Sequence, residues 1–250
     1  MLHSKIKRAL TASPCRQLLS ALALSSAVGL AMLALRAGYS GRLGYWSLPW
    51  DLFLAWAPVP LALGVARLQQ RPRVPWGTIS ALAFLWLLFF PNAPYLVTQF
   101  MHLHPSHAVH DGPHPFAAYT PRGNVPIWYD VMMLSTFAWT GLMLGFVSLH
   151  LIHRAAARLA GPVCGWATVI TGVGLCAFGV SLGRFERWNS WDVVAHPLSL
   201  LSDVFSRMFN PLAHPRTSAV TVFLSMFLLL SYLSLLAMMR LRAAEEEASN

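Results

Sequence analysis

The sequence predicts an all-α, polytopic membrane helix bundle with about six transmembrane helices, and three observations carry that prediction. The chain of 250 residues is 56% hydrophobic and only 11% charged, whereas a soluble domain carries about 25% charged residues. Six apolar runs approach or exceed the roughly 20 residues needed to cross a bilayer. Trp46, Trp50, Trp76, Trp128, Tyr129, Trp166, Trp188 and Trp191 fall near the ends of those runs, where amphipathic rings settle at the membrane boundary.

The runs lie at about 18–36, 47–66, 76–98, 128–152, 162–183 and 217–239. Before the first come Lys5, Lys7, Arg8 and Arg16, as in a signal peptide. The apolar stretch that follows is longer than a signal core and no small-x-small site succeeds it, so it reads as an uncleaved helix. The third run ends in Phe-Pro-Asn-Ala-Pro-Tyr-Leu-Val-Thr-Gln, residues 90–99. Each proline there removes an N–H donor and clashes with the carbonyl one turn back. In lipid the freed backbone groups must be satisfied by protein or trapped water, so the break should face the protein interior. The fourth run opens on Trp128-Tyr129-Asp130. The fifth holds Cys164 and Cys176, which at such positions are small hydrophobes. Together with Cys15 they form no CxxC pair and imply neither a disulfide framework nor a zinc knuckle. The tail from Arg240 to Asn250 should fray. No internal repeat is visible, and residues 1–250 read as one integral-membrane domain with a flexible charged tail at 241–250.

Orientation follows from the basic residues. With the N-terminus inside, the inner loops receive Lys5, Lys7, Arg8, Arg16, Arg67, Arg71, Arg73, Arg154, Arg158, Arg240 and Arg242. The outer loops receive Arg36, Arg42, Arg122, Arg184, Arg187, Arg207 and Arg216. Eleven against seven favours both termini in the cytoplasm of a bacterial inner membrane. The formal charge of +9 therefore reflects topology. No groove combining base-stacking aromatics with a basic track is recognisable, so nucleic acid is excluded as a partner. Asp51, Asp111, Asp130, Glu186, Asp192 and Asp203 all fall on or near the outer side, as do seven of the ten histidines. Acidic residues contribute little to orientation, so this asymmetry points to chemistry on the outer face.

Two outer segments have length. Residues 99–127 are rich in Pro, Gly and His and suit an irregular loop. Residues 184–216 carry Leu198, Leu201, Val204, Phe205 and Met208 at helical spacing, with Ser202, Asp203, Ser206 and Arg207 between them. Too short to span, that stretch suits an amphipathic helix along the outer interface. A helix packed over the bundle end is the alternative.

Three constellations could carry function. Asn92, Tyr95 and Thr98 recur at three-residue steps, and polar groups on one side of a lipid-embedded helix should point inward. Asp130, with Tyr129 beside it, gains from the positive end of its helix; an ionisable group at that depth is a functional candidate once a partner is named. Partners are offered by Gly183-Arg184-Phe185-Glu186-Arg187-Trp188-Asn189-Ser190-Trp191-Asp192. Arg184 and Arg187 lie one turn apart, as do Trp188 and Trp191, and two guanidiniums suit a phosphate or carboxylate gripped bidentately. Asp130 or Glu186 could then act as general base, with Arg184, Arg187, Trp188, Asn189, Trp191 and Asp192 binding the ligand. A plain interfacial belt of Trp and Arg is the competing reading.

His102, His104, His107, His110 and His114 have spacings that permit zinc. Metal sites need a rigid frame, however, and prolines 105, 113 and 115 interrupt the loop. No metal or cofactor is therefore assigned, and only His102, nearest the broken helix, joins the candidate site. Gly141-x-x-x-Gly145, Gly161-x-x-x-Gly165 and Gly179-x-x-x-Gly183 allow close helix contact and admit a homo-oligomer.

Pro91-Asn92-Ala93-Pro94-Tyr95-Leu96-Val97-Thr98, His102-Leu103, Trp128-Tyr129-Asp130 and Gly183-Arg184-Phe185-x-Arg187-Trp188-Asn189-Ser190-Trp191-Asp192 resemble an uncharacterised bacterial membrane family, domain of unknown function 1361. The resemblance covers roughly residues 80–240. It implies a multi-pass inner-membrane protein and carries no activity with it. An aspartate often follows the Val-Thr pair in that family, whereas this chain has Gln99, and the His-rich insertion at about 104–115 is peculiar to this chain.

The sequence thus points to a periplasm-facing polar pocket that binds or processes an anionic lipid headgroup or envelope intermediate, with membrane lipids as partners and no reaction assigned. A small transporter or channel built on the broken helix and a structural or assembly partner of an envelope protein are the alternatives.

Overall fold

The computed structural model describes residues 13–41, 44–103, 125, 127–186, 188 and 192–248. Among them every regular element is helical. In chain order these are α1 (Ser13–Ser40), α2 (Leu48–Trp56), α3 (Pro58–Leu68), α4 (Trp76–Phe89), α5 (Asn92–Tyr95), a 3-10 turn (Leu96–His102) and α6 (Ile127–Ala160). Then follow α7 (Pro162–Ser181), a π-helical turn (Leu182–Glu186), α8 (Asp192–Ala195), α9 (Pro197–Phe209) and α10 (Pro215–Ala248). Among the described residues six stretches are long and apolar enough to span a membrane: Arg16–Ser40, Leu48–Leu68, Trp76–His102, Ile127–Ala160, Pro162–Glu186 and Pro215–Leu241. All six predicted runs are found. The tail expected to fray is helical as far as Ala248, because its alanines and glutamates are strong helix formers.

The chain gathers into two compact units. The first comprises Met1–Trp56 and Asn92–Leu144, and the second Ala57–Pro91 and Gly145–Asn250.

In the first unit, Met133, Leu134 and Phe137 of α6 are buried, as are Leu48 and Leu52 of α2 and Leu96. Gly29 of α1 lets the Phe137 ring come close, since a Cβ there would sit 3.2 Å from it. Hydroxyls tie the helices in the manner of membrane proteins: Ser25 and Thr140 meet at 2.7 Å, and the Trp56 indole donates to Ser26 Oγ at 3.1 Å. The segment after the proline break packs on α6 through Gly141, where a Cβ would strike the Ala93 carbonyl oxygen and lie 2.9 Å from Leu96 Cδ1. Ala93, Leu96 and Gln99 form the fully buried row, as a helix of three residues per turn aligns them. Asn92, Tyr95 and Thr98, expected to point inward, precede that row by one residue and are half-buried.

In the second unit α3 packs on α4, and α7 packs on α10. Trp86 of α4 donates its indole N–H to Ser148 Oγ at 3.2 Å and stacks on Phe90 with ring centroids 4.7 Å apart. Gly179 of α7 receives the Pro91 ring, whose Cγ would lie 2.8 Å from a Cβ at 179. Gly165 brings α7 against α6, where Ala157 Cβ would lie 2.8 Å from a Cβ at 165. These glycines serve close contacts within one chain, as their spacing predicts.

Candidate functional site

The first unit buries an ion pair where α1 ends and α6 begins. Asp130 stands in the first turn of α6, where the helix dipole favours a carboxylate. Arg36, ninety-four residues upstream, grips it with both arms of its fork: Nε donates to Oδ1 at 2.6 Å and Nη2 to Oδ2 at 3.0 Å. The Arg36 and Asp130 side chains are only 10% and 11% exposed. Among the described residues the guanidinium that holds Asp130 is that of Arg36, a partner the sequence does not single out. No spacing motif marks Arg36. Its one signal in the sequence is that of a lone cation near a span end.

Two neighbours complete this arrangement. The Tyr45 ring lies under the guanidinium, 4.8 Å from Cζ to the centroid, a cation–π geometry. To place its ring there Tyr45 adopts φ +59, a left-handed conformation that bulky residues seldom occupy. Gly44 supplies the space, because a Cβ at 44 would lie 2.6 Å from Arg36 Nη1. Burial, and after it the Asp130 carboxylate, push the Tyr45 phenol up to about 12 against the opposing pull of Arg36. Its hydroxyl donates to the His102 carbonyl at 3.4 Å.

Of the predicted residues, Tyr129 braces the same corner by donating to the Met32 carbonyl at 2.8 Å. His102 is exposed and contributes that backbone carbonyl. Thr98 donates to the Tyr95 carbonyl at 2.7 Å, closing the turn after the proline break. Gln99 is buried and donates from Nε2 to Asp51 Oδ2 at 2.6 Å. An amide here supplies a donor that a carboxylate could supply only when protonated.

The second unit carries a different polar network. The π-helical turn holds Arg184, half-buried, and Glu186. Glu186 Oε1 pairs with Arg207 Nη1 at 2.9 Å. Arg207 of α9 also donates from Nε to Asp203 Oδ1 at 2.9 Å and from Nη1 to Thr217 Oγ1 at 3.1 Å. Trp188 adds its indole N–H to Asp203 Oδ2 at 2.9 Å. Arg216 lies over the Phe185 ring at 5.6 Å, and Asp192 opens α8, half-buried. Arg187, Asn189 and Trp191, the rest of this motif, lie outside the described residues, as do His104, His107, His110 and His114. Among the described residues no three His, Cys, Asp or Glu side chains gather as metal ligands.

One further cluster in this unit has no signature in the sequence. His150 Nδ1 and His153 Nδ1, one turn apart on α6, approach the Tyr232 hydroxyl at 3.3 and 2.8 Å. Tyr232 is 2% exposed. Its hydroxyl carries a single proton, so it can donate to only one of the two rings.

Among the described residues, six helical stretches long and apolar enough to cross a membrane, with ion pairs where some of them end, define a multi-pass helical membrane protein. Within that class, the chain belongs to the family described as Protein of unknown function (DUF1361), whose model matches residues 50–231. The match begins within α2, earlier than the motifs alone indicate, and takes in the proline break, Asp130 and the π-helical turn. Arg36 and Tyr45 lie before it. No curated protein and no solved structure matches the chain.

Proposed function

We propose that this is a bacterial inner-membrane protein that binds an anionic lipid headgroup, or an envelope intermediate bearing the same phosphate or carboxylate, at a periplasm-facing site around Arg36. One observation carries the reading. The Arg36 side chain is nine-tenths buried at a span end, and Asp130 engages only its Nε and Nη2. Nη1, which takes no part in that pair, lies beside Gly44, where a Cβ would come within 2.6 Å of it. A guanidinium held in this way is largely buried and already oriented. An incoming oxyanion can take the remaining donors, or exchange with Asp130, without rearranging the fork.

The excess of basic residues in the loops on the N-terminal side supports placing the Arg36 end in the periplasm. In this reading Asp130 holds the fork charged and oriented between ligands, and Tyr129 and Tyr45 fix its surroundings. Asn92, Tyr95, Thr98 and His102 belong to the same unit and are the proposed ligand-orienting groups. Arg184, Arg187, Trp188, Asn189, Trp191 and Asp192 offer the same anion chemistry on the second unit. Asp130 and Glu186, the carboxylates suited to proton transfer, are both engaged by guanidiniums, so the reading commits to binding and assigns no reaction.

The test is the double variant Arg36→Gln/Asp130→Asn, which keeps the site neutral and hydrogen-bonding. Purified wild-type protein titrated with phosphatidylglycerol should show retained lipid by native mass spectrometry and a rise in thermal midpoint, with little response to phosphatidylcholine. The double variant should lose that preference. An equal anionic-lipid response in both proteins removes the proposal.

A further inference from the structure

Helix α9 presents three faces rather than two. At about 100° per residue, Leu200, Asp203, Val204 and Arg207 share one side, and these are the half-buried residues of the helix. Ser199, Ser202 and Ser206 share a second side, and all are exposed. Leu198, Leu201, Phe205, Met208 and Phe209 form the third, with exposures from 49% to 81%. A helix lying on a soluble core turns its apolar stripe inward. This one turns Asp203 and Arg207 inward beside Leu200 and Val204, and leaves its five larger apolar side chains uncovered.

The inward row is locked. Arg207 ties α9 to Glu186, the last residue of one apolar span, and to Thr217, near the start of the next. Asp203 ties it to Trp188. The helix is thereby fixed at the level where two spans end, which in a bilayer is the boundary between headgroups and acyl chains. At that boundary a helix has three different neighbours: protein on one side, hydrocarbon below and water above. The three faces of α9 match those neighbours one for one.

We propose that α9 lies in the plane of the membrane interface with Leu198, Leu201, Phe205, Met208 and Phe209 sunk among the lipid acyl chains, and that the occupant of this apolar face is lipid rather than protein. The depth of burial is about 5–10 Å, as for other interfacial helices. A second copy or a partner protein would cover the apolar row, but it would give no reason for a separate serine row. His214 and Arg216 stand at the following span's start, where anionic headgroups lie. The lipid contact of α9 belongs to the second unit and does not depend on the ligand proposed for Arg36.

The experiment uses the full chain in anionic vesicles, in a background with Cys15, Cys164 and Cys176 changed to Ala. Nitroxide labels go singly at Leu201→Cys, Phe205→Cys, Met208→Cys, Ser199→Cys, Ser202→Cys and Ser206→Cys. Collision with oxygen should exceed collision with a water-soluble nickel chelate several-fold at 201, 205 and 208, and the order should invert at 199, 202 and 206. Low collision with both reagents at 201, 205 and 208 means protein covers the face and overturns the proposal. Nickel dominance at those sites means water covers it, which overturns the proposal equally. Unaltered wild-type protein gives an independent reading: lipids carrying a carbene precursor in the acyl chain should crosslink within residues 198–209.

Discussion

The two units solve the same electrostatic problem differently. Among the described residues of the first, Asp130 meets Arg36, both about nine-tenths buried and ninety-four residues apart in sequence. In the second, Arg207 meets two carboxylates, Glu186 at 31% and Asp203 at 25% side-chain exposure, and Asp203 stands just four residues before Arg207 on the same helix. A buried charge pair stands or falls with both partners, because removing one leaves the other uncompensated in a poor solvent. A distributed, half-wet network can lose a member and let water take its place. The first arrangement is suited to holding one side chain in one orientation. The second is suited to fastening a helix.

The largest expected effect follows from that contrast. Arg36→Ala should lower stability by about 3–5 kcal/mol, since it strands Asp130 in a buried position. Arg36→Met/Asp130→Leu, which removes both charges, should recover most of that loss. Equilibrium unfolding in mixed micelles separates the two outcomes. If the double variant is as unstable as the single one, the pair matters for something other than charge compensation and the comparison between units fails.

A smaller loss is expected at the other network. Arg207→Ala removes charge-assisted bonds to partly exposed carboxylates, and about 1.5–3 kcal/mol is the ordinary scale for a hydrogen bond to a charged group. Solvent access to Glu186 and Asp203 should hold the loss to the lower end of that range or below it. The same unfolding measurement checks this, and a loss equal to that of Arg36→Ala would erase the distinction between buried and half-wet pairs.

How far each arrangement was legible follows from how local it is. The spans, the proline break and the amphipathic character of α9 are written in consecutive residues, through hydrophobic run length, missing donors and three- and four-residue steps. The glycine contacts at 141, 165 and 179 were legible as a tendency, although the partners they receive were not. Asp130 was visible because a carboxylate at the head of an apolar run is conspicuous. Arg36 was not visible as its partner, since only the tertiary fold sets α1 beside α6. The Tyr232 cluster was hidden for the same reason: two histidines and a tyrosine far from them in sequence meet only when their helices are set side by side. Gln99 shows the limit of reasoning from residue type, because its role depends on the carboxylate of Asp51 across the unit.

Tyr45 offers the finest probe of the first unit, because it lies between spans and reports on the pair beside it. Its phenol is raised from 10.0 to about 12 by burial first and by Asp130 second. A group whose folded pKa lies above its unfolded value contributes stability that is complete below the unfolded value and is lost as pH rises through the folded one. The contribution of Tyr45 should therefore be intact below about pH 10 and disappear between about pH 10 and 12. Phenolate absorbance during alkaline titration should show a late step in the wild type that Tyr45→Phe removes. Asp130→Asn should move that step to lower pH without restoring it to the ordinary value, since burial, the larger cause, remains. If the step does not move, the carboxylate does not govern the phenol, and the coupling of Tyr45 to the Arg36–Asp130 pair is refuted even though the pair itself stands.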